Sequence, residues 1–221
     1  DDVTPELLKR GKAALDADRK ERNASIICYV GVTTAYVGFA AAGAIRNKLT
    51  KSYLNNAFPV ISRAIVHPHF RGKRLGTMIV EHRAKLLIHG YFGVVPKAIH
   101  FGTESPKVLQ SIKSVERDEG VKFVYIGDER YTTADGTHTV NDYLCFMPDY
   151  QQALLAACEP LPQFRDRLAL FMREGVDAIP GDGLAAEFDD LRSSLSEPAQ
   201  QLLAEMFEIR RTHIGASDPI R

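Results

Sequence analysis

One stretch decides the fold: residues 65–76, which read IVHPHFRGKRLG. A β-branched run over 59–66 leads into Pro68, which ends the strand. A short basic turn containing Gly72 follows, and an amphipathic pattern from Leu75 to His89 predicts a helix. The apolar face predicted for this helix consists of Leu75, Met78, Ile79, His82 and Leu86.

The turn between this strand and this helix offers several groups to an anion. The first backbone N–H groups of a helix have no partner within the helix, and the helix dipole adds partial positive charge at the same place. Gly72 and Gly76 allow the backbone to approach a ligand closely. Arg71, Lys73 and Arg74 add full positive charges. The combination predicts a site suited to a pyrophosphate.

The segments on either side of the stretch alternate between helical and strand patterns. The predicted elements are a helix over 4–22, strands over 24–32, 34–45, 59–66 and 97–103, a helix from Pro106 to Gly120, and strands over 121–127 and 139–147 that pair as a hairpin. After Pro148, proline and glycine separate four helical segments, 150–158, 163–177, 183–195 and 197–211. The order predicts an α/β protein with a mixed sheet.

The stretch resembles the acyl-CoA pyrophosphate-binding loop of the GNAT superfamily of N-acetyltransferases. That loop reads Arg/Gln-x-x-Gly-x-Gly/Ala after a Val-x-Pro strand end; Arg71 matches its first position, Gly76 its last, and Arg74 replaces its middle glycine. The resemblance covers residues 24–147 and implies a GNAT-like mixed central β-sheet flanked by helices. It implies an acyl-CoA-binding domain over 1–149 and an all-helical, acidic C-terminal extension over 150–221.

The resemblance also implies a co-substrate, acetyl-CoA, and no metal. The strand before the loop would bind pantetheine through its backbone, the loop amides would hold the diphosphate, and Ser105 would stand where family members often carry asparagine. The residues implied to bind acetyl-CoA are Ile65, Val66, Arg71, Gly72, Lys73, Arg74, Leu75, Gly76, Thr77 and Ser105.

Acyl transfer from a thioester to an amine needs a group that removes a proton from the ammonium, and the thiolate leaving group can use an acid. Glu104, at the C-terminal end of a predicted strand, is the candidate base. Tyr143 is the candidate acid, with Tyr125 and Tyr131 as alternatives that spacing does not separate. His100, within the same strand as Glu104, is predicted to be a hydrogen-bonded core histidine.

The formal net charge is zero, but the charges are unevenly distributed. Residues 59–115 hold nine Lys and Arg against two acids, whereas residues 150–208 hold eleven acids against four Arg. CoA itself accounts for much of the basic excess, so nucleic acid is not the expected partner. The acidic helices are a structural extension, a homodimer or protein-docking surface, or a wall that favours a cationic acceptor such as lysine, a polyamine or an aminoglycoside.

The cysteines and the hydropathy indicate the compartment. Cys28, Cys145 and Cys158 form no CxxC pair, which predicts buried free thiols in a reducing cytoplasm. No apolar run reaches the ~20 residues of a membrane helix, so no membrane partner is expected. The sequence predicts a cytoplasmic N-acyltransferase that acetylates a protein lysine, a protein N-terminus or a small amine. The alternative is a catalytically degenerate acyl-CoA-binding module that acts through protein contacts.

Overall fold

The computed structural model describes residues 24–32, 36–47, 59–66, 72, 74–90, 96–133 and 136–215. These residues belong to two compact units, each described separately below. The first unit comprises Asp1–Pro96 and Ser105–Gly120, and the second comprises Lys97–Glu104 and Val121–Arg221. The predicted helix over 4–22 lies outside the described residues, and the predicted division into 1–149 and 150–221 stays a prediction.

The described residues of the first unit form an antiparallel three-stranded arrangement and two helices. Its strands are β1 (Ala24–Val32), β2 (Tyr36–Asn47) and β3 (Pro59–Val66), with β2 between the other two. Its helices are α1 (Leu75–Ile88) and α2 (Pro106–Glu119). Gly120 ends α2 in the left-handed conformation, as a helix C-terminal glycine commonly does.

Helices α1 and α2 meet at their C-terminal ends. Lys85 lies 2.9 Å from the Asp118 carboxylate, and His89 Nε2 lies 2.7 Å from Glu119 Oε2. A helix rises about 1.5 Å per residue, so the start of α1 lies roughly 20 Å along its axis from this contact. The N-terminus of α1 is thus remote from the carboxylates at the end of α2.

The buried face of α1 differs from the predicted one. The buried residues are Ile79, Val80, Arg83, Ala84 and Leu87. Met78, predicted to lie on the buried face, is 58% exposed, and His82 is also exposed. The prediction is confirmed for Ile79 and wrong for Met78 and His82. The buried face includes Arg83, whose Nε donates to the Ile79 carbonyl at 3.3 Å, so this charged residue is accommodated there.

The second unit contains three antiparallel strands, β4 (Ala98–Thr103), β5 (Phe123–Thr133) and β6 (Gly136–Phe146), with β6 in the middle. Its helices are α3 (Pro148–Ala157), α4 (Pro162–Glu174), α5 (Gly181–Leu191) and α6 (Glu197–Gly215). Short 3-10 turns, Gly175–Asp177 and Arg192–Ser194, follow α4 and α5. Within the described part of the chain, no helix is long and apolar enough to cross a membrane.

Aromatic rings join the helices of the second unit to its strands and to one another. Phe146 on β6 meets Phe171 on α4 edge-on at 6.3 Å between centroids. Phe188 on α5 stacks between Phe164 on α4 and Phe207 on α6, at 6.5 and 5.1 Å. Full burial of such rings contributes roughly 1.5–3 kcal/mol each, which gives these helices a core of their own.

The predicted α/β class and the all-helical C-terminal part are confirmed by the order of the described elements. Strands β1 and β3 have the predicted bounds, and the free, buried thiols predicted for Cys145 and Cys158 are confirmed. The hairpin strands are longer than predicted. Their additional residues, 128–133 and 136–138, are mostly polar, so the apolar alternation that marks a strand is absent from them.

Candidate functional site

The turn before α1 has an unusual backbone. Gly72 has φ +79° and open space where a Cβ would lie, so its conformation is the natural one for glycine. Arg74 has φ 61° and ψ 10°, and it is the one non-glycine residue with positive φ in the described part of the chain. A left-handed conformation costs a non-glycine residue roughly 1–2 kcal/mol. The turn therefore retains a strained arginine where the resembled loop carries glycine.

Helix α1 begins without a cap. Arg74 is its N-cap residue and makes no side-chain capping bond, and the first turn holds no acidic residue. The first backbone bond of the helix runs from the Met78 N–H to the Arg74 carbonyl at 3.0 Å. The N–H groups of Leu75, Gly76 and Thr77 consequently have no partner within the helix. These groups and the exposed Arg74 side chain form an electropositive end that suits an anion.

Strand β3 changes direction just before the two residues implied to bind pantetheine. Opposite β2, Ala64 pairs with Gly43 while Ser62 pairs with Ala44, so Arg63 is an extra residue in β3. A bulge of this kind bends the strand and alters its twist. Ile65 and Val66 then resume regular pairing up to the end of the strand.

Not every predicted acetyl-CoA-binding residue can be placed. Arg71 and Lys73 lie outside the described residues, as do His67, Pro68 and His69. Ser105 caps α2 with extended φ and ψ, and its carbonyl accepts from the Leu109 N–H at 3.2 Å. Its side chain makes no capping bond to the helix.

In the second unit, the candidate base Glu104 is joined to a histidine. Glu104 follows the last residue of β4, and its Oε2 lies 3.2 Å from Nδ1 of His138 on β6. The two side chains are 42% and 28% exposed, so water and a solute can reach the pair. The sequence pattern indicates the carboxylate but not its partner.

The candidate acid Tyr143 lies elsewhere on the same sheet. It pairs with Phe101 across β4 and β6, and its ring lies 5.6 Å from that of Tyr125 and 6.3 Å from that of Phe101. Burial raises the pKa of the Tyr143 hydroxyl above its usual value near 10, so the group stays protonated at neutral pH and can donate. The alternative acid Tyr125 already donates its hydroxyl to Asp128 at 2.5 Å.

A second acid–histidine pair is buried between the same strands. His100 Nε2 lies 2.9 Å from Asp142 Oδ1, and the side chains are 5% and 1% exposed. The prediction that His100 is a hydrogen-bonded core histidine is confirmed. Gly102, directly opposite Asp142, provides the room: a Cβ there would lie 2.8 Å from Asp142 Oδ1 and 2.9 Å from Val140 Cγ1.

The two pairs lie on one face of the second unit's sheet. Alternate residues of a strand share a face, so His138, Val140 and Asp142 on β6 are neighbours of His100 and Gly102 on β4. Glu104 continues the β4 series just beyond the strand. The face therefore runs from an exposed pair at the strand ends to a buried pair further in.

Sequence reasoning missed His138 and Asp142. Period-2 spacing links them along β6, but the strand was predicted to begin at 139, after His138. Which β4 residue each one meets depends on the cross-strand register, and the β5–β6 register shifts between Tyr125 and Gly127. In the described part of the chain, no three His, Cys, Asp or Glu side chains are grouped so that they could hold a metal ion.

No protein-family model matches the chain, and no curated protein matches it at a significant level. Solved structures do. A ribosomal-protein-S18-alanine N-acetyltransferase from Escherichia coli has a TM-score of 0.41 and 13% identity, covering 66% of this chain and 92% of its own. A Bacillus subtilis acetyltransferase in complex with CoA has a TM-score of 0.38 and 13% identity, covering 65% and 93%.

A variant of a spermidine N-acetyltransferase from Vibrio cholerae has a TM-score of 0.40 and 12% identity, covering 63% of this chain and 76% of its own. All three are acetyltransferases by name. With TM-scores below 0.5, this likeness by itself implies no function for this chain.

Proposed function

We propose that this protein is a GNAT-type N-acyltransferase that transfers an acetyl group from acetyl-CoA to a primary amine. The observation that carries the proposal is the turn at Gly72 and Arg74. Both residues have the left-handed backbone conformation, and helix α1 begins after them without a side-chain cap. Strain at one non-glycine residue persists where the surroundings require it, and such residues cluster at ligand sites. The sequence of the same turn carries the resemblance to the acyl-CoA loop.

The first unit would bind the co-substrate. The N–H groups of Leu75, Gly76 and Thr77 would donate to the pyrophosphate, and the Arg74 guanidinium would add a charge-assisted hydrogen bond. Ile65 and Val66, after the bulge in β3, would bind the pantetheine arm through their backbone. An N–H of this strand, that of Val66, would stabilise the negative charge that develops on the thioester oxygen.

The chemical step needs a proton acceptor and a proton donor. The amine attacks the thioester carbonyl carbon only after its ammonium form has lost a proton. Glu104, with its partner His138, is the candidate for that proton. Tyr143 is the candidate donor predicted for the leaving thiolate, but it lies on the opposite face of the sheet from this pair, so the proton that remains on the attacking nitrogen is the one available to the thiolate here. Both candidates belong to the second unit.

The experiment is a thermal shift followed by a turnover assay. Acetyl-CoA at 100 times its dissociation constant should stabilise the protein by ~2.7 kcal/mol, which is roughly 5–10 °C for a chain of this size. Release of CoA thiol is then measured with spermidine, an N-α-acetyl-lysine amide and a tripeptide with a free N-terminus. Stabilisation with thiol release supports the proposal, stabilisation without turnover indicates the binding-module alternative, and no stabilisation contradicts both.

Arg74→Glu isolates the turn in this assay. It should abolish most of the shift because it replaces a phosphate donor with a repelling charge. Arg117→Glu is the matched control, since it makes the same charge change at the exposed, C-terminal end of α2. The control should keep the shift of the wild type.

The acidic helices bear on the choice of amine. Glu187 is ion-paired with Arg167 and 24% exposed, and Asp189 and Asp190 on α5 are more exposed than it is. If they attract a cationic acceptor, Asp189→Asn with Asp190→Asn should raise KM for spermidine severalfold, and Glu187→Gln should change it less. An unchanged KM would leave these helices a structural role.

A further inference from the structure

We propose that His138 is the base of this reaction and that Glu104 positions it, in place of Glu104 acting alone. The inference rests on the proposed function and deepens it. It starts from the 3.2 Å contact between Glu104 Oε2 and His138 Nδ1. A neutral imidazole whose Nδ1–H donates to a carboxylate presents the lone pair of Nε2, which is the form a base needs.

The location of the pair suits this role. The last β4–β6 pair is Thr103 with Asn141, so His138 lies three residues beyond it, where β6 has only β5 beside it within the second unit. Glu104 follows the end of β4 and reaches this projecting ribbon. Both side chains are partly exposed, so a substrate ammonium can approach and the proton can leave to water.

Proton affinity favours the imidazole over the carboxylate. A lysine-like ammonium has a pKa of about 10.4, an ordinary imidazole about 6.5 and an ordinary glutamate about 4.3. As a side-chain type, an imidazole is therefore a stronger base than a carboxylate. The carboxylate contributes by fixing the tautomer and by stabilising the imidazolium that forms.

Every proton and bonding electron pair in the proposed acyl transfer is accounted for. Nε2 of His138 takes one proton from the ammonium. The amine nitrogen then forms a bond to the thioester carbonyl carbon, the C–S bond breaks, and its electron pair leaves with sulfur. The remaining surplus proton on nitrogen passes to the thiolate, giving amide and CoA thiol, and His138 releases its proton to water.

Two other histidine–carboxylate pairs provide comparisons. His100 and Asp142 are too deeply buried to meet a substrate. His89 and Glu119 lie on the helix surface of the first unit, at the end of α1 away from the turn, and His89 is 66% exposed. His89→Gln is therefore the matched control for His138→Gln.

The charges around His138 bear on its pH response. Glu104 faces it from the end of β4, and Asp142 lies further along β6 on the same face. On β5, Tyr131 is its register partner, flanked along the strand by Arg130, and Glu129 is paired with Val140. Glu104 is a carboxylate in direct contact with His138, so its removal should have a large effect on the pH response.

The test uses the full chain, acetyl-CoA and the most reactive of the three amines named above. His138→Gln should lower kcat by about 100- to 10,000-fold, the usual range for losing a general base, with KM for acetyl-CoA within about twofold. The acidic limb of the wild-type pH profile should lie near neutrality and vanish in this variant. His89→Gln should keep the wild-type rate and profile.

Two further variants separate catalysis from structure. Added imidazole should restore part of the activity of His138→Ala, which a purely structural histidine would not allow. Glu104→Gln should lower kcat by roughly tenfold and move the acidic limb to lower pH, since a negative charge that favours the imidazolium is lost. This variant keeps the proposal testable if substitution of His138 unfolds the protein.

The outcomes distinguish the two proposals. An active wild type with an equally active His138→Gln, or an acidic limb that persists unchanged in that variant, overturns the role of His138 and leaves the acyltransferase in place. A wild type that binds no acetyl-CoA, or that acetylates none of the amines, overturns the proposed function and this inference together. A large loss in His138→Gln with imidazole rescue of His138→Ala supports the inference.

Discussion

Gly102→Ala should destabilise the second unit strongly because the residue lies under a buried carboxylate. The added Cβ would meet Asp142 Oδ1 at 2.8 Å and Val140 Cγ1 at 2.9 Å. Asp142 is 1% exposed and is held by His100 at 2.9 Å, so the carboxylate can move only by stretching or breaking that bond. The Val140 methyl group blocks movement of the added Cβ away from the carboxylate.

The magnitude follows from the two contacts. A buried hydrogen bond to a charged group contributes about 1.5–3 kcal/mol, and overpacking of a filled core costs typically 1–3 kcal/mol. Movement of the carboxylate relieves the overpacking but breaks the hydrogen bond, so the two costs do not add in full. We expect the free energy of unfolding to fall by about 3 kcal/mol. For a chain of this length the loss lowers Tm by roughly 6–12 °C.

The assay is thermal unfolding followed by circular dichroism, with Gly183→Ala as the matched control. Gly183 lies in α5 with no heavy atom within 4 Å of a built Cβ, so alanine should leave Tm unchanged or raise it. In an Asp142→Ala background, the cost of Gly102→Ala should fall by about half, since one of the two clashes is gone. A Tm for Gly102→Ala within 2 °C of wild type would refute the placement of Asp142 over Gly102.

Two further predictions concern the second unit. Gly175 has φ +75°, and a Cβ at this position would overlap the Tyr125 carbonyl oxygen. Gly175→Ala should therefore lower the free energy of unfolding, measured in urea, by about 3 kcal/mol or more. A loss below about 1 kcal/mol would argue against this close approach of the two backbone segments. Burial raises the pKa of the Cys158 thiol to about 11. An unfolded thiol loses its proton near pH ~8.5, so the folded state binds more protons between these values and loses stability as pH rises through them. Urea unfolding at pH 8 and pH 10 should show a smaller loss in Cys158→Ala than in wild type, and equal losses would contradict this.

The sequence predicted the elements whose pattern is local. The β-branched run of β3 lies next to Pro68, and α2 has Pro106 at its start and Gly120 at its end, so short-range signals determine their bounds. The extended ribbon of β5 and β6 was missed because its residues are mostly polar and exposed, and no alternation identifies them. The buried face of α1 was predicted in part, since Ile79 lies on it, but the burial of Arg83 there is determined by the tertiary packing.

In the candidate site, too, local features were predictable from the sequence and features that depend on tertiary structure were not. The anion-binding character of the turn was predictable, because it depends on residue types and spacing within residues 65–76. The left-handed conformation of Arg74 was not, since the residue type disfavours it and the structure imposes it. The pairing of Glu104 with His138 joins positions 34 residues apart, and it depends on where β4 ends relative to β6.

The central claim is that the turn at Arg74 binds the pyrophosphate of acetyl-CoA. The most direct measurement is calorimetric titration of the wild type and Arg74→Glu with acetyl-CoA and with acetyl-pantetheine, which lacks the pyrophosphate. Loss of a charge-assisted hydrogen bond, about 1.5–3 kcal/mol, predicts that Arg74→Glu weakens acetyl-CoA binding by roughly 10- to 100-fold. Binding of acetyl-pantetheine should not change. Equal weakening of both ligands, or no binding of acetyl-CoA by the wild type, would contradict the account.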